Sequence, residues 1–249
     1  MSEPRPVREG RERADAVRFE HGLGSAPIRD LFGFIERNYP DLLVVVRPMH
    51  DGPDGALIRA GAHRLVVVNS YEQTLARQRF TAAHELAHYL FDRDRDPVHL
   101  DDDLFGGDAP TETRANAFAV HLILPASVIR ERIAQRTLNP ADPGTVVALA
   151  AEYGPSVQSL SWHIKNVLGL SDSERRRLAE IPTFRLARLL GLTDYVRKER
   201  EAQDRIAWPQ RYLALTTRAF ERGELSQAEL LRLLEDRNLV SEIVAVTSE

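Results

Sequence analysis

The sequence contains no cysteine among its 249 residues, and this absence removes several classes of site. Disulfides, thiolate-bound metals, iron–sulfur clusters and cysteine nucleophiles are excluded, so any metal must be held by nitrogen and oxygen. Long apolar runs are also missing, since a run such as Leu42–Val46 is far shorter than a membrane span. With 33 basic and 37 acidic side chains, the formal charge of -4 disfavours a dedicated polyanion binder.

The remaining composition is that of an ordinary globular protein, with 43% hydrophobic and 28% charged residues. A chain of this length can bury a sizeable core. The first ten residues are polar and include Pro4 and Pro6, which does not fit a signal peptide. We therefore expect a cytoplasmic protein without a membrane segment.

Three short runs at 42–69 predict a small sheet. Strands are expected at Leu42–Arg47, Ala56–Ala60 and His63–Asn69, because glycines separate runs rich in β-branched residues. The short connection between the second and third favours a hairpin, so the sheet is predicted to be antiparallel and three-stranded. Most later residues follow a helical period. The predicted fold class is α+β, with the sheet packed on the following helices and a mostly helical C-terminal region.

A His-Glu-x-x-His motif lies inside one of these helical patterns. On a helix, His84 and His88 stand one turn apart on the same face, so their imidazoles converge on one metal ion. Glu85 is offset by about 100° around the axis and reaches a metal-bound water without being a ligand. Apolar flanks predict a half-buried helix, in which two histidines and a glutamate are costly unless something pairs with them. The motif therefore predicts a metal site with an adjacent base.

Two histidines leave a third ligand to be found, since catalytic zinc uses three protein ligands and one open position. Asp94, six residues beyond His88, is one candidate, but no glycine turns the chain at Phe91. Glu112 is the better candidate, because it starts the next helix, where the helix dipole favours a carboxylate. Asn116 lies one turn further on and is placed to hydrogen-bond a ligand.

The two segments that carry these residues resemble one known family. The run RQRFTAAHELAHYL, followed by ETRANAFAVHLILP, is similar to the ImmA/IrrE metallopeptidases. Their pattern is Arg-x-Arg-Phe-Thr-x-Ala-His-Glu-x-x-His, then Glu-x-x-Ala-Asn-x-Phe-Ala. The resemblance implies that His84, His88 and Glu112 hold one zinc ion and that Glu85 is the catalytic base. Arg114 and Leu124 depart from the glutamate and methionine common in the family, but neither change removes a catalytic group.

The resemblance also implies a minimal gluzincin-like core and a substrate. Family members cleave helix-turn-helix repressors of mobile elements or stress responses, so the expected partner is a separate repressor protein. Four parts are then predicted. They are a flexible N-terminal arm (1–26), a zinc metallopeptidase core (27–138), a helix-turn-helix-like pair packed on the core (139–172) and a helical C-terminal module (173–249).

The mechanistic hypothesis is that Glu85 deprotonates a zinc-bound water, which attacks a peptide carbonyl, and then protonates the leaving amine. We expect the strand His63–Asn69 to be an edge strand that pairs with an extended substrate, which makes Val67 and Asn69 candidate substrate-binding residues. A further transition-state donor is usual in such enzymes. The sequence offers Tyr71, Tyr89 and His121 for that role and selects none of them.

A second hypothesis comes from another functional class. Ala150, Gly154 and Leu160 have the offsets of a helix-turn-helix, which would suit a DNA-binding or sensor regulator with a non-catalytic metal site. The second helix, however, offers Lys165 as its one firm cation, whereas phosphate neutralisation dominates affinity for DNA. Direct DNA binding is therefore disfavoured, and we expect the pair to pack on the core.

Overall fold

The computed structural model describes residues 3–61, 63–91, 98–101 and 110–247. The elements of these residues follow one another in chain order. They are α1 (Arg5–Glu20), α2 (Leu31–Asn38), β1 (Leu42–Arg47), β2 (Gly55–Ala60), β3 (His63–Asn69), α3 (Leu75–Phe91), β4 (Val98–Asp101), α4 (Pro110–Ile123), α5 (Ala126–Ala134), α6 (Pro143–Tyr153), α7 (Val157–Leu168), α8 (Asp172–Ala179), α9 (Thr183–Leu189), α10 (Thr193–Glu201), α11 (Gln210–Glu221), α12 (Gln227–Leu234) and α13 (Arg237–Thr247).

The α+β class predicted from the sequence is confirmed, but the sheet differs in two details. It is mixed rather than antiparallel, because β1 pairs with β3 in parallel while β2 and β3 form the predicted antiparallel hairpin. It has four strands rather than three in the order β1-β3-β2-β4, since β4 adds to β2. A hairpin leaves both of its edges open, and the alternation of side chains does not select which edge β1 joins.

The two faces of the sheet bury different clusters. Val44 and Val46 of β1 belong to the main core, which also contains the apolar sides of α1 to α4. Val45 and Val67 point the other way and pack with Trp208 from the C-terminal region. This follows from the period of two along a strand. The helix α3 therefore lies on the main-core face of the sheet.

The segment 1–26, predicted to be a flexible arm, contains the 16-residue helix α1. Its Ala14 and Val17 are fully buried against the main core. At Gly10, α1 approaches α4 so closely that a Cβ on this residue would lie 2.3 Å from the carbonyl oxygen of Arg114. The charged composition hid this packing, because a glycine contact between helices has no apolar signal in the sequence.

The helical remainder is attached to the helix that carries the motif. Helices α5 to α10 build a second apolar core, and α11 to α13 build a smaller one. The carboxylate of Glu199 in α10 accepts from the amide of Ala76 at the start of α3, at 3.0 Å. Gln78 donates to the carbonyl of Ala202 at 2.6 Å.

The described helices include none with the length and apolarity to cross a membrane. The four predicted domain boundaries stay a prediction.

Candidate metal centre

The helix α3 places two histidines beside each other in the protein interior. His84 is fully buried and His88 is 3% exposed. Their Nε2 atoms are 3.0 Å apart, as expected for residues separated by one helical turn. The spacing of the motif thus converts directly into two nitrogen donors at one point.

Glu112, near the start of α4, brings an oxygen donor to the same point. One carboxylate oxygen lies 3.1 Å from His84 Nε2, and the other lies 3.5 Å from His88 Nε2. Donor atoms of the three residues all lie within 4.8 Å of one another. Asp94, the other ligand considered from the sequence, lies outside the described residues.

Asn116 fixes the orientation of one imidazole. Its Oδ1 accepts a hydrogen bond from His84 Nδ1 at 2.9 Å. An amide oxygen only accepts, so the neutral ring carries its proton on Nδ1 and its lone pair on Nε2, facing the cluster. Two imidazole nitrogens and a carboxylate, held by such a partner, are a donor set that fits a divalent transition metal and leaves one position open.

Glu85 is fully buried on the side of α3 that faces β2. There Gly55 leaves the necessary space, because a Cβ on it would lie 2.6 Å from Glu85 Oε1 and 2.4 Å from Thr81 Cγ2. Sequence reasoning missed Gly55 as a functional position. Its only local signal is a glycine at the start of a strand, which also marks ordinary turns.

Two arginines precede the His-Glu-x-x-His motif on α3, and both connect this helix to neighbouring segments. Arg77 forms an ion pair with Asp54, directly before Gly55. Arg79 is 7% exposed and donates to the carbonyls of Ile28, Arg29 and Tyr153 at 2.6, 3.0 and 3.2 Å. Burial lowers the pKa of the Arg79 guanidinium. One side chain therefore joins the chain before α2, the motif helix and the end of α6.

The prediction that His63–Asn69 is an edge strand is wrong. β3 lies between β1 and β2, so both of its backbone edges are already paired. Val67 packs in the cluster with Trp208. The Asn69 side chain accepts from the amide of Met49 and donates to its carbonyl, both at 2.9 Å. Neither residue is presented to a substrate strand, and the strand at the edge next to Gly55 is β4.

The three candidates for a transition-state donor have other contacts. Tyr89 donates from its hydroxyl to Asp41 at 2.6 Å. The ring of Tyr71 packs edge-on against His50 at 4.9 Å. The ring of His121 packs edge-on against His163 at 4.6 Å. The structure therefore gives each of these residues a structural contact and selects none as a donor.

Helices α6 and α7 form the predicted pair, joined at Gly154 with a φ of 89°. Ala150 and Leu160 are fully buried. The exposed positions of α7 include Gln158, Trp162 and Asn166, which are all uncharged. Lys165 pairs with Asp172 at 2.5 Å. The surface of α7 is therefore poor in cations available for phosphates.

Comparison with known proteins agrees with the geometry of the centre. Residues 37–164 match the family Peptidase M78, described as the IrrE N-terminal-like domain. They are 128 of the 249 residues and include the motif, Glu112, α6 and most of α7. No curated protein matches the chain. The matched segment covers more than half of the sequence and contains all three converging donors. The chain belongs to the Peptidase M78 (IrrE N-terminal-like) family, a family of metallopeptidases.

Proposed function

We propose that the protein is a zinc-dependent endopeptidase. The observation that carries the proposal is the convergence of His84, His88 and Glu112 within 4.8 Å, with Glu85 buried on the same helix. Zinc is the metal that suits two imidazoles and one carboxylate with a fourth position left open. A purely structural zinc site uses four protein ligands, whereas three ligand side chains converge here among the described residues.

The residues of the chain divide the chemistry among them. When bound, zinc would supply Lewis acidity, which polarises a peptide carbonyl and lowers the pKa of water. Glu85 accepts the proton of the attacking water on its carboxylate and delivers it to the leaving amine. Gly55 gives that carboxylate its space, and Asn116 keeps the His84 lone pair on Nε2. Peptide hydrolysis needs no further redox partner or cofactor.

The proposed substrate is a helix-turn-helix repressor that controls a mobile element or a stress response. This follows from the resemblance of the motif segments to the ImmA/IrrE metallopeptidases. A protease of a DNA-bound repressor acts in the compartment that contains the DNA, so we place the protein in the cytoplasm. If a repressor gene lies next to the gene for this protein, its product is the first substrate to try.

The test is cleavage of that purified repressor, with fragments identified by intact mass. Two fragments whose masses sum to the repressor plus one water are expected with zinc-loaded protein. Glu85→Gln should retain zinc and slow cleavage by at least about 100-fold, because it removes the proton acceptor. The exposed Glu221→Gln is the matched control and should cleave normally. A Glu85→Gln protein that cleaves at the wild-type rate would refute the mechanism.

The alternative of a DNA-binding regulator has weaker support. The described face of α7 offers uncharged side chains and a lysine already paired with Asp172. His163 of the same helix is buried and hydrogen-bonded to the carbonyl of Leu124 at 2.9 Å, which fixes α7 to the core. Salt-sensitive association with an operator fragment would be the result that favours this alternative.

A further inference from the structure

A large cavity lies beside the metal centre, between α1, α4, α5 and α7. Its volume is about 1050 Å³, the size of sites that hold small organic ligands. None of His84, Glu85, His88 and Glu112 lines it, whereas Asn116 does. The cavity is therefore separate from the donor cluster but shares one residue with its support.

A buried histidine in the cavity wall has a ring nitrogen that the described part of the chain leaves without a hydrogen bond. His121 is 7% exposed, and its Nδ1 has no hydrogen-bond partner among the residues that the structure describes. Burial, with a smaller contribution from the neighbouring His163, lowers the pKa of His121 to about 3, so the ring is neutral near pH 7. A neutral imidazole offers one donor and one acceptor. Leaving such a group unsatisfied is costly, so a polar ligand atom is the partner it fits.

The cavity lining contains four charged side chains, and one of its two arginines has no ion-pair partner among the described residues. Arg11 bonds to Glu3 at 3.1 Å and lies 3.8 Å from Asp15, so this group of one cation and two carboxylates is itself net negative. Arg130 also lines the cavity and forms no ion pair within the described part of the chain. The two arginines and two carboxylates of the lining cancel in sum, so the case for an anionic ligand rests on Arg130, the lining cation left to pair with it.

An aromatic wall completes the site. Trp162 lines the cavity and is 43% exposed, which is unusual for so large an apolar side chain. The guanidinium of Arg175 lies 4.2 Å from the centre of its ring, which adds positive charge nearby. Aromatic rings and an arginine at one site suit a flat ligand that carries an anionic group.

We propose that this cavity binds a small aromatic anion and that the ligand acts on the metal centre through Asn116. The anionic group pairs with Arg130, the ring packs on Trp162, and a polar atom satisfies His121. Asn116 lines the cavity and accepts from His84 at 2.9 Å, so a ligand that contacts Asn116 changes how that imidazole is held. The link to the metal centre rests on the proposed function, whereas binding in the cavity does not.

The experiment uses the full chain and two fluorescent probes with nearly the same rings. Anilinonaphthalenesulfonate carries a sulfonate, and N-phenyl-1-naphthylamine carries no charge. Ser127→Trp fills the cavity from an exposed position of α5, and Ser241→Trp places the same ring on α13 as a control. Wild type and the Ser241→Trp control are each expected to bind one sulfonate probe per chain. Ser127→Trp is expected to bind this probe at least tenfold more weakly. A folded Ser127→Trp protein with wild-type affinity would overturn the proposal.

Two further comparisons test the anion and the link to the metal. Arg130→Ala should weaken the sulfonate probe about fivefold and leave the neutral probe unchanged, while the exposed Arg218→Ala changes neither. Equal losses for both probes would overturn the role of Arg130. Bound zinc should shift the affinity of the sulfonate probe by at least about fivefold, since coupling between sites is reciprocal. Equal affinities with and without bound zinc would overturn the link through Asn116. Protein that binds the probe but no zinc would instead refute the proposed function alone.

Discussion

The replacement of Arg79 tests how the motif helix is held. Arg79→Met removes a buried guanidinium that donates to three carbonyls at 2.6 to 3.2 Å. Charged hydrogen bonds contribute about 1.5–3 kcal/mol each. Because Nη2 of Arg79 serves two of the three carbonyls, we expect the free energy of unfolding to fall by about 3–5 kcal/mol rather than by the full sum. Arg79→Lys should lose about 2 kcal/mol, because one ammonium does not reproduce the guanidinium fork.

The assay is urea unfolding followed by circular dichroism, in chelator so that metal binding does not restore stability. Arg37→Met is the matched control. It removes a guanidinium from an exposed pair with Asp30 at 3.2 Å and should cost less than about 1 kcal/mol. An Arg79→Met protein within about 1 kcal/mol of wild type would show that the three carbonyl contacts do not hold the helix.

Three other predictions concern the site and its surroundings. Asn116→Ala should weaken zinc binding about 10–100-fold, because His84 loses the acceptor that orients its ring. Competition titration measures the affinity, and an unchanged value would contradict this. Gly55→Ala should keep zinc but lower repressor cleavage about 100-fold, since the methyl group displaces Glu85; wild-type cleavage by a folded variant would exclude the clash. Burial lowers the pKa of His163 to about 4, so the unfolded chain binds the proton more readily. Its stabilising contribution is complete above pH 6.5 and is lost as the pH falls towards 4. Urea unfolding measures this effect. Between pH 7 and pH 5, the free energy of unfolding should fall by about 2 kcal/mol more in wild type than in His163→Gln, and equal falls would contradict the assignment.

The convergence of the three candidate ligands could be predicted because it depends on local spacing. The helical period places His84 and His88 on one face, and Glu112 opens the next apolar helix. Ser171 and Ser226, each with a glutamate three residues later, form capping boxes that are equally local features of the sequence. Each of these features involves residues close together in one segment or two adjacent helices.

The features that the sequence did not predict depend on distant segments. Strand order placed β3 inside the sheet, and no local pattern distinguishes an interior from an edge strand when both are apolar. Glu199 reaches the start of α3 across more than a hundred residues of chain, a contact that no local spacing indicates. Gly10 and Gly55 matter because of the space they leave, which only tertiary packing defines.

The most direct test of the central claim is the metal content of the purified protein by elemental analysis. Wild type, Glu85→Gln and Asp94→Ala should each contain about one zinc ion per chain, because none of these changes removes a proposed ligand. Glu112→Ala should lose the metal, since it leaves only the two imidazoles at the centre. Wild-type protein that stays free of metal after incubation with zinc and dialysis would contradict the account, as would a Glu112→Ala protein with its zinc intact.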